Sequence, residues 1–152
     1  MVDLTIVSGG QTGVDRAALD VALELGLPCG GWVPKGRLAE DGPIDARYPM
    51  RETGRRAYAV RTRFNVRDSD ATLVLTRRHP TGGTALTIDF AKRSGRPCRV
   101  LDLDLDPDPD AVRAWLDSHR VRVLNVARLR ERTSPGIYQM AAEFLRRTFS
   151  DR

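Results

Sequence analysis

One passage dominates this chain: a short apolar run turns on glycine and leads straight into residues spaced for a helix. Leu4 to Ser8 reads as a strand ending at Gly9 and Gly10. Val14, Ala17, Ala18, Val21, Ala22 and Leu25 then follow at helical spacing, and Gly26 stops the helix. The passage recurs at Ala71 to Thr76, where the run A-T-L-V-L-T predicts a buried strand before a second glycine turn and a helix from about Ala85 to Arg93. Val100 to Leu103 and Val121 to Val126 predict further strands, with a helix at Ala111 to Leu116 between them. In the last helix Ser134 is the expected cap and Pro135 lies in the first turn, with Ile137, Met140, Ala141, Phe144 and Leu145 on one stripe. Weaker signals give a strand around Gly31 to Val33, a long loop from Lys35 to Met50 and an edge strand at Tyr58 to Val60. Alternating strands and helices imply a single Rossmann-like α/β domain over residues 1–152, its mostly parallel, doubly wound sheet covered by helices on both faces. In such a sheet, ligands sit at the carboxyl ends of the strands.

Composition narrows the function classes. Hydrophobic residues make up 41% and charged residues 30%, as in a globular protein. No apolar run is long enough to cross a bilayer, and the chain starts directly on a strand pattern without a leader signature. Cys29 and Cys98 are far apart and in neither metal-binding nor redox spacing, which points to a reduced, cytoplasmic protein. The net charge of +5 raises the question of nucleic acid. Two of the 25 basic residues are lysines, leaving 23 arginines, which are scattered along the sequence without a recognised reading motif. Nucleic acid is therefore not the expected partner.

The chemistry lies in the glycine turns. Ser8-Gly9-Gly10-Gln11-Thr12-Gly13-Val14-Asp15-Arg16 joins the first strand to its helix. Paired glycines let backbone N–H groups approach an anion, and the helix N-terminus behind them favours negative charge. The loop lacks the Gly-Lys-Ser/Thr ending of a Walker loop and the spacing of a dinucleotide fingerprint. Thr12 and Asp15 also read as an approximate capping box, with Asp15 a cap rather than a ligand. A second loop, Thr81-Gly82-Gly83-Thr84, follows the central strand, with Thr84 placed to cap the next helix. A third runs from Asn125 to Gly136. Loops that meet at one sheet edge suit a ligand with more than one polar group.

Other patterns carry less. Asp102, Asp104, Asp106, Asp108 and Asp110 alternate as in a calcium loop, but Pro107 and Arg113 stand where glycine and glutamate are needed. A strand end followed by a helix start is the expected reading. His79 and His119 are isolated from the cysteines and complete no zinc set. Trp115 suits a core position, and Trp32 suits either core or a stacking wall.

Four blocks together resemble the molybdenum carrier-like family: S-G-G-Q-T-G-V-D-R-A-A-L-D at 8–20, G-G-W-V-P-K-G-R-L-A-E-D-G-P-I at 30–44, N-V-R-D-S-D-A-T-L-V at 65–74 and G-G-T-A-L-T at 82–87. N-V-A at 125–127 and S-P-G-I-Y at 134–138 extend the match. The resemblance implies a Rossmann-like fold, a homo-oligomer (dimer or tetramer), and storage or delivery of the molybdenum cofactor (molybdopterin) without chemistry. It also implies kinship with the cytokinin-activating phosphoribohydrolases and other binders of nucleotide-like ligands. Two departures stand out. Arg128 and Leu129 follow Asn125-Val126-Ala127, where the family pattern has glycine. The hydrolase glutamate falls on Thr87 or Asp89.

The leading expectation is a carrier of a phosphate-bearing ligand, most specifically the molybdenum cofactor. Gly9, Gly10, Gln11, Thr12 and Gly13 would form one wall and Gly82, Gly83 and Thr84 another, with Arg16, Asn65, Ser134 and Gly136 adding polar contacts. No catalytic residue and no dedicated metal ligand is expected. The alternatives are N-glycosidic hydrolysis of a nucleotide, with Asp89 as a base, and a nucleotide-sensing domain.

Overall fold

The computed structural model describes residues 3–78 and 82–150. Six parallel strands form one sheet: β1 (Thr5–Val7), β2 (Cys29–Val33), β5 (Met50–Glu52), β6 (Ala71–Thr76), β7 (Cys98–Asp102) and β8 (Val123–Ala127), in the order β5-β2-β1-β8-β6-β7. The helices are α1 (Val14–Leu25), α2 (Tyr58–Arg67), α3 (Gly82–Ser94), α4 (Pro109–Ser118) and α5 (Ile137–Ser150). α1 packs on α5, and α5 on α4, over one face; α2 packs on α3 over the other. The Rossmann-like α/β expectation holds, and every pairing in the six-stranded sheet is parallel.

The two faces of the sheet differ in chemistry. Leu4, Ile6, Leu73, Leu75, Leu124 and Val126 point toward α1, α4 and α5 and join the main apolar core there. Side chains alternate along a strand, so Thr72, Val74, Thr76 and Asn125 point toward α2 and α3. That layer buries Arg61, Thr62, Asn65, Thr84 and Thr87.

Two local expectations are corrected. Tyr58 to Val60 is the first turn of α2, not an edge strand. The buried face of α2 consists of Arg61, Thr62, Asn65 and Val66, so it shows no apolar stripe from which a helix could be read. The Lys35–Met50 segment is more ordered than a loop. It contains a two-stranded antiparallel ribbon, β3 (Leu38–Ala39) with β4 (Gly42–Pro43), and leads into β5 at the sheet edge.

The caps also differ from expectation. α1 starts after Gly13 with no side-chain cap. α5 starts at Ile137, too late for Ser134 to be its cap; instead the Glu131 carboxylate accepts Gly136 N (2.7 Å) and Tyr138 N (3.0 Å). Thr84 lies inside the first turn of α3, not before it. Within the aspartate run, Asp102 and Asp108 each accept the backbone N–H two residues on, capping a 3₁₀ turn and α4, as the strand-end reading requires.

Candidate functional site

From β1 the chain moves outward on one side, to β2 and then β5; from β6 it moves outward on the other, to β7. The reversal lies over β1, β8 and β6, where a doubly wound sheet opens its crevice. The loops leaving these three strands at their carboxyl ends are the Gly9–Gly13 loop, the Arg128–Gly136 loop and the passage into Gly82–Thr84. His79 and Thr81 lie outside the described residues.

The glycines in these loops lie against protein atoms. A Cβ on Gly9 would come within 1.8 Å of the Arg61 guanidinium, and one on Gly83 within 2.4 Å of Arg128 Nη2. One on Gly13 would come within 2.2 Å of the Leu129 carbonyl, which also accepts Val14 N at 3.1 Å. Gly10 is packed beneath Ile44, Val33 and Met50. At Gly13 the close approach of backbone requires glycine, whereas at Gly9 and Gly83 the approaching group is an arginine side chain.

Several loop side chains are already engaged. Gln11 Oε1 accepts Thr12 N (3.1 Å) and Glu40 N (2.8 Å). The Thr12 hydroxyl donates to Glu40 and accepts Glu131 N. Arg16 donates to the Gly10 carbonyl and, through two nitrogens, to Asp41. The ribbon around β3 and β4 is thus strapped across the glycine loop. Asn65 accepts Trp32 N (2.7 Å) and donates to Trp32 O (3.0 Å), so it pairs with the β2 backbone. Ser134 and Gly136 lie in the turn before α5, far along the third loop. The structure therefore brings Gly9 to Arg61, Gly83 to Arg128 and Gly13 to Leu129, and ties Gln11, Thr12, Arg16 and Asn65 into the scaffold.

At the centre of this edge, Asp15 is buried and meets Arg61 Nη1 at 3.3 Å. It is not a cap. Burial pushes its carboxyl pKa up against the opposing pull of Arg61 and Arg128 and a bond from Gln11 N. Burial also pulls the Arg61 pKa down, and the nearby charges of Arg128 and Arg130 act in the same direction. Two buried polar atoms, Arg61 Nε and Thr76 Oγ1, have no hydrogen-bond partner among the described residues. Tyr58 lies between two of the cations, its ring 5.7 Å from Arg61 and 5.0 Å from Arg130. Tyr58 also lines a cleft of about 450 Å³ with Pro34, Lys35, Leu38, Glu52 and Arg56.

The sequence reading missed Arg61, Arg128 and Arg130. Their only trace is indirect: glycines at 9 and 83 that leave room for guanidiniums. Asp89 is half exposed and pairs with Arg93 one turn on (2.9 Å), while the Thr87 hydroxyl bonds back to Gly83 O (3.1 Å). Trp32 is half-buried: its indole N–H donates to Asp68, and Arg51 lies over its ring at 4.3 Å. Trp115 packs against the main core. Among the described residues no helix is long and apolar enough to cross a membrane.

The pattern of the circularly permutated YpsA SLOG family matches residues 6–149. A crystal structure of a Putative molybdenum carrier protein from Syntrophus aciditrophicus SB is 42% identical in sequence and superposes with a TM-score of 0.91, over 97% of this chain and 96% of that one. No curated protein matches the chain.

Proposed function

This chain belongs to the circularly permutated YpsA SLOG family, and on that premise we propose that it binds a phosphate-bearing ligand, most specifically the molybdenum cofactor, and stores or delivers it unchanged. The observation that carries the reading is the meeting of three strand-to-helix loops over β1, β8 and β6, at the reversal of strand order. The groups gathered there include the guanidiniums of Arg61, Arg128 and Arg130, donors suited to an anionic cargo. Among the described residues no set of histidine, cysteine and carboxylate side chains is grouped for a bare metal ion. Molybdenum would thus arrive inside its cofactor, with the phosphate toward the arginines and the pterin toward Tyr58. Self-association to a dimer or tetramer and a cytoplasmic location belong to the same reading.

Hydrolysis requires a group that exchanges a proton at the reacting atom. Asp89, the residue nearest in count to the hydrolase glutamate, is engaged in a surface pair with Arg93. Protein purified without oxygen is expected to carry a pterin and molybdenum in native mass spectrometry, as a dimer or tetramer. Nucleoside monophosphates are expected to release no free base. Base release that disappears in Asp89→Asn would replace the carrier with a glycosidase.

A further inference from the structure

The charges at the sheet edge do not balance. Asp15 faces Arg61 and Arg128, and Arg130 stands beside Arg61, so three cations share one buried carboxylate and two positive charges are uncompensated. Glu40 faces both Arg130 and Arg132, and counting this carboxylate together with Arg132 leaves the excess unchanged. Among the described residues neither Arg128 nor Arg130 has a carboxylate at ion-pairing distance. Arg61 is only 4% exposed, and among the described residues its Nε donor has no partner. A buried donor left unmade is costly, and like charges in a low-dielectric site repel strongly. The glycine loop offers an incoming anion little relief. Gln11 N is given to Asp15, Thr12 N to the Gln11 side chain, Gly10 N to Ser8 Oγ and Val14 N to Leu129 O.

We propose that Arg61, Arg128 and Arg130 form a subsite for one tetrahedral dianion, either a phosphate monoester or a free oxyanion such as hydrogen phosphate or molybdate. A dianion matches the excess charge, and guanidiniums offer its oxygens paired N–H donors in a fixed fork. Asp15 is the resident counter-charge that keeps Arg61 in place when the subsite is empty. Arg128 then supplies recognition from the third loop. The proposal deepens the carrier reading and rests on it only where the phosphate belongs to a carried ligand.

Calorimetric titration of the full chain with inorganic phosphate and, separately, with sodium molybdate tests the subsite. One saturable site is expected. Arg128→Ala and Arg130→Ala should each weaken it by about tenfold or more, as expected for the loss of a charge-assisted bond. Arg122→Ala is the control, because Arg122 precedes β8 at the opposite end of the sheet, and it should leave affinity unchanged. Comparing the two salts shows which dianion the site prefers. In Asp15→Asn the resident carboxylate is gone, so Tm without added anion should fall and phosphate should raise it more than in the parent protein. The absence of saturable binding of either salt, or an equal loss in Arg122→Ala, overturns the proposal. Cofactor retained at full strength by Arg128→Ala also overturns it while leaving the carrier intact. Oxyanion binding in a protein that holds no cofactor leaves the subsite and removes the carrier.

Discussion

Gly13 and Gly136 separate two reasons for glycine. Both have positive φ, +80° and +91°, but a Cβ on Gly13 meets Leu129 O, whereas one on Gly136 meets nothing within 4 Å. Gly136→Ala should therefore cost only the backbone strain, about 1–2 kcal/mol. Gly13→Ala adds a clash with backbone that holds the N-terminus of α1, and should cost about 2–4 kcal/mol. Urea denaturation of the two variants compares them directly, and equal losses would show that the Leu129 contact yields freely. Gly10 belongs with Gly13: its φ is +70° and Ile44 lies 3.2 Å from a built Cβ. Substituting valine there tests folding before it tests any ligand.

At the scale of elements, the strap across the glycine loop has its own acid response. Burial acts to raise the Glu40 pKa, but bonds from Thr12 and Arg132 N, with the charges of Arg132 and Arg130, outweigh it, and the net shift is downward. The bond from Arg16 lowers the Asp41 pKa as well. A depressed folded-state pKa gives stability that is present above the unfolded value and lost as pH falls through the folded one. The ordinary values are 4.5 and 3.8, so the strap should hold at neutral pH and loosen progressively below about pH 4.5. Hydrogen exchange across residues 36–44 should rise on acidification, and Glu40→Gln should remove part of that rise. An acid response identical in Glu40→Gln would show that the carboxylate does not hold the strap. The strap could not be read from the sequence, because one residue, Glu40, is bonded through its carboxylate to Thr12 and through its backbone N–H to Gln11, 28 and 29 positions away. β6, α1 and α5 were legible, since an apolar run or stripe marks elements that face the main core. α2 was not: its inward residues are arginine, threonine and asparagine, whose burial depends on partners elsewhere. The glycine loops were legible as strand-to-helix turns at one sheet edge, but the arginines that approach them were not, since Arg61 and Asp15 stand 46 residues apart.

The whole molecule is built from one strong layer and one weak one. α1, α4 and α5 cover the sheet with a continuous aliphatic and aromatic core that includes Leu116, Ile137, Phe144, Leu145 and Phe149. Each large side chain buried there contributes on the order of 1.5–3 kcal/mol. Under α2 and α3 the sheet presents Thr72, Thr76 and Asn125, and the helices answer with Arg61, Thr62, Asn65 and Thr87. Hydrogen bonds to such groups contribute less net stability than apolar burial, and two atoms in this layer have no partner among the described residues. Local opening follows low apolar contact, so α2 and α3 should exchange their amides through an opening of lower free energy than the one that exposes α1, α5 and β6. An anion held by Arg61 acts on this weaker layer, because Arg61 is part of α2 and an opened α2 cannot present it. Bound ligand at about a hundred times its Kd stabilises the competent state by about 2.7 kcal/mol, and that gain should fall on α2 more than on α5. Hydrogen-exchange mass spectrometry with and without phosphate measures both effects on one sample. Fast exchange in α2 and α3 that slows selectively in α2 with phosphate is the expected result. Uniform protection of both layers, or slowing spread evenly over all helices, would mean that the two faces unfold as one unit and that the polar layer is not where the ligand acts.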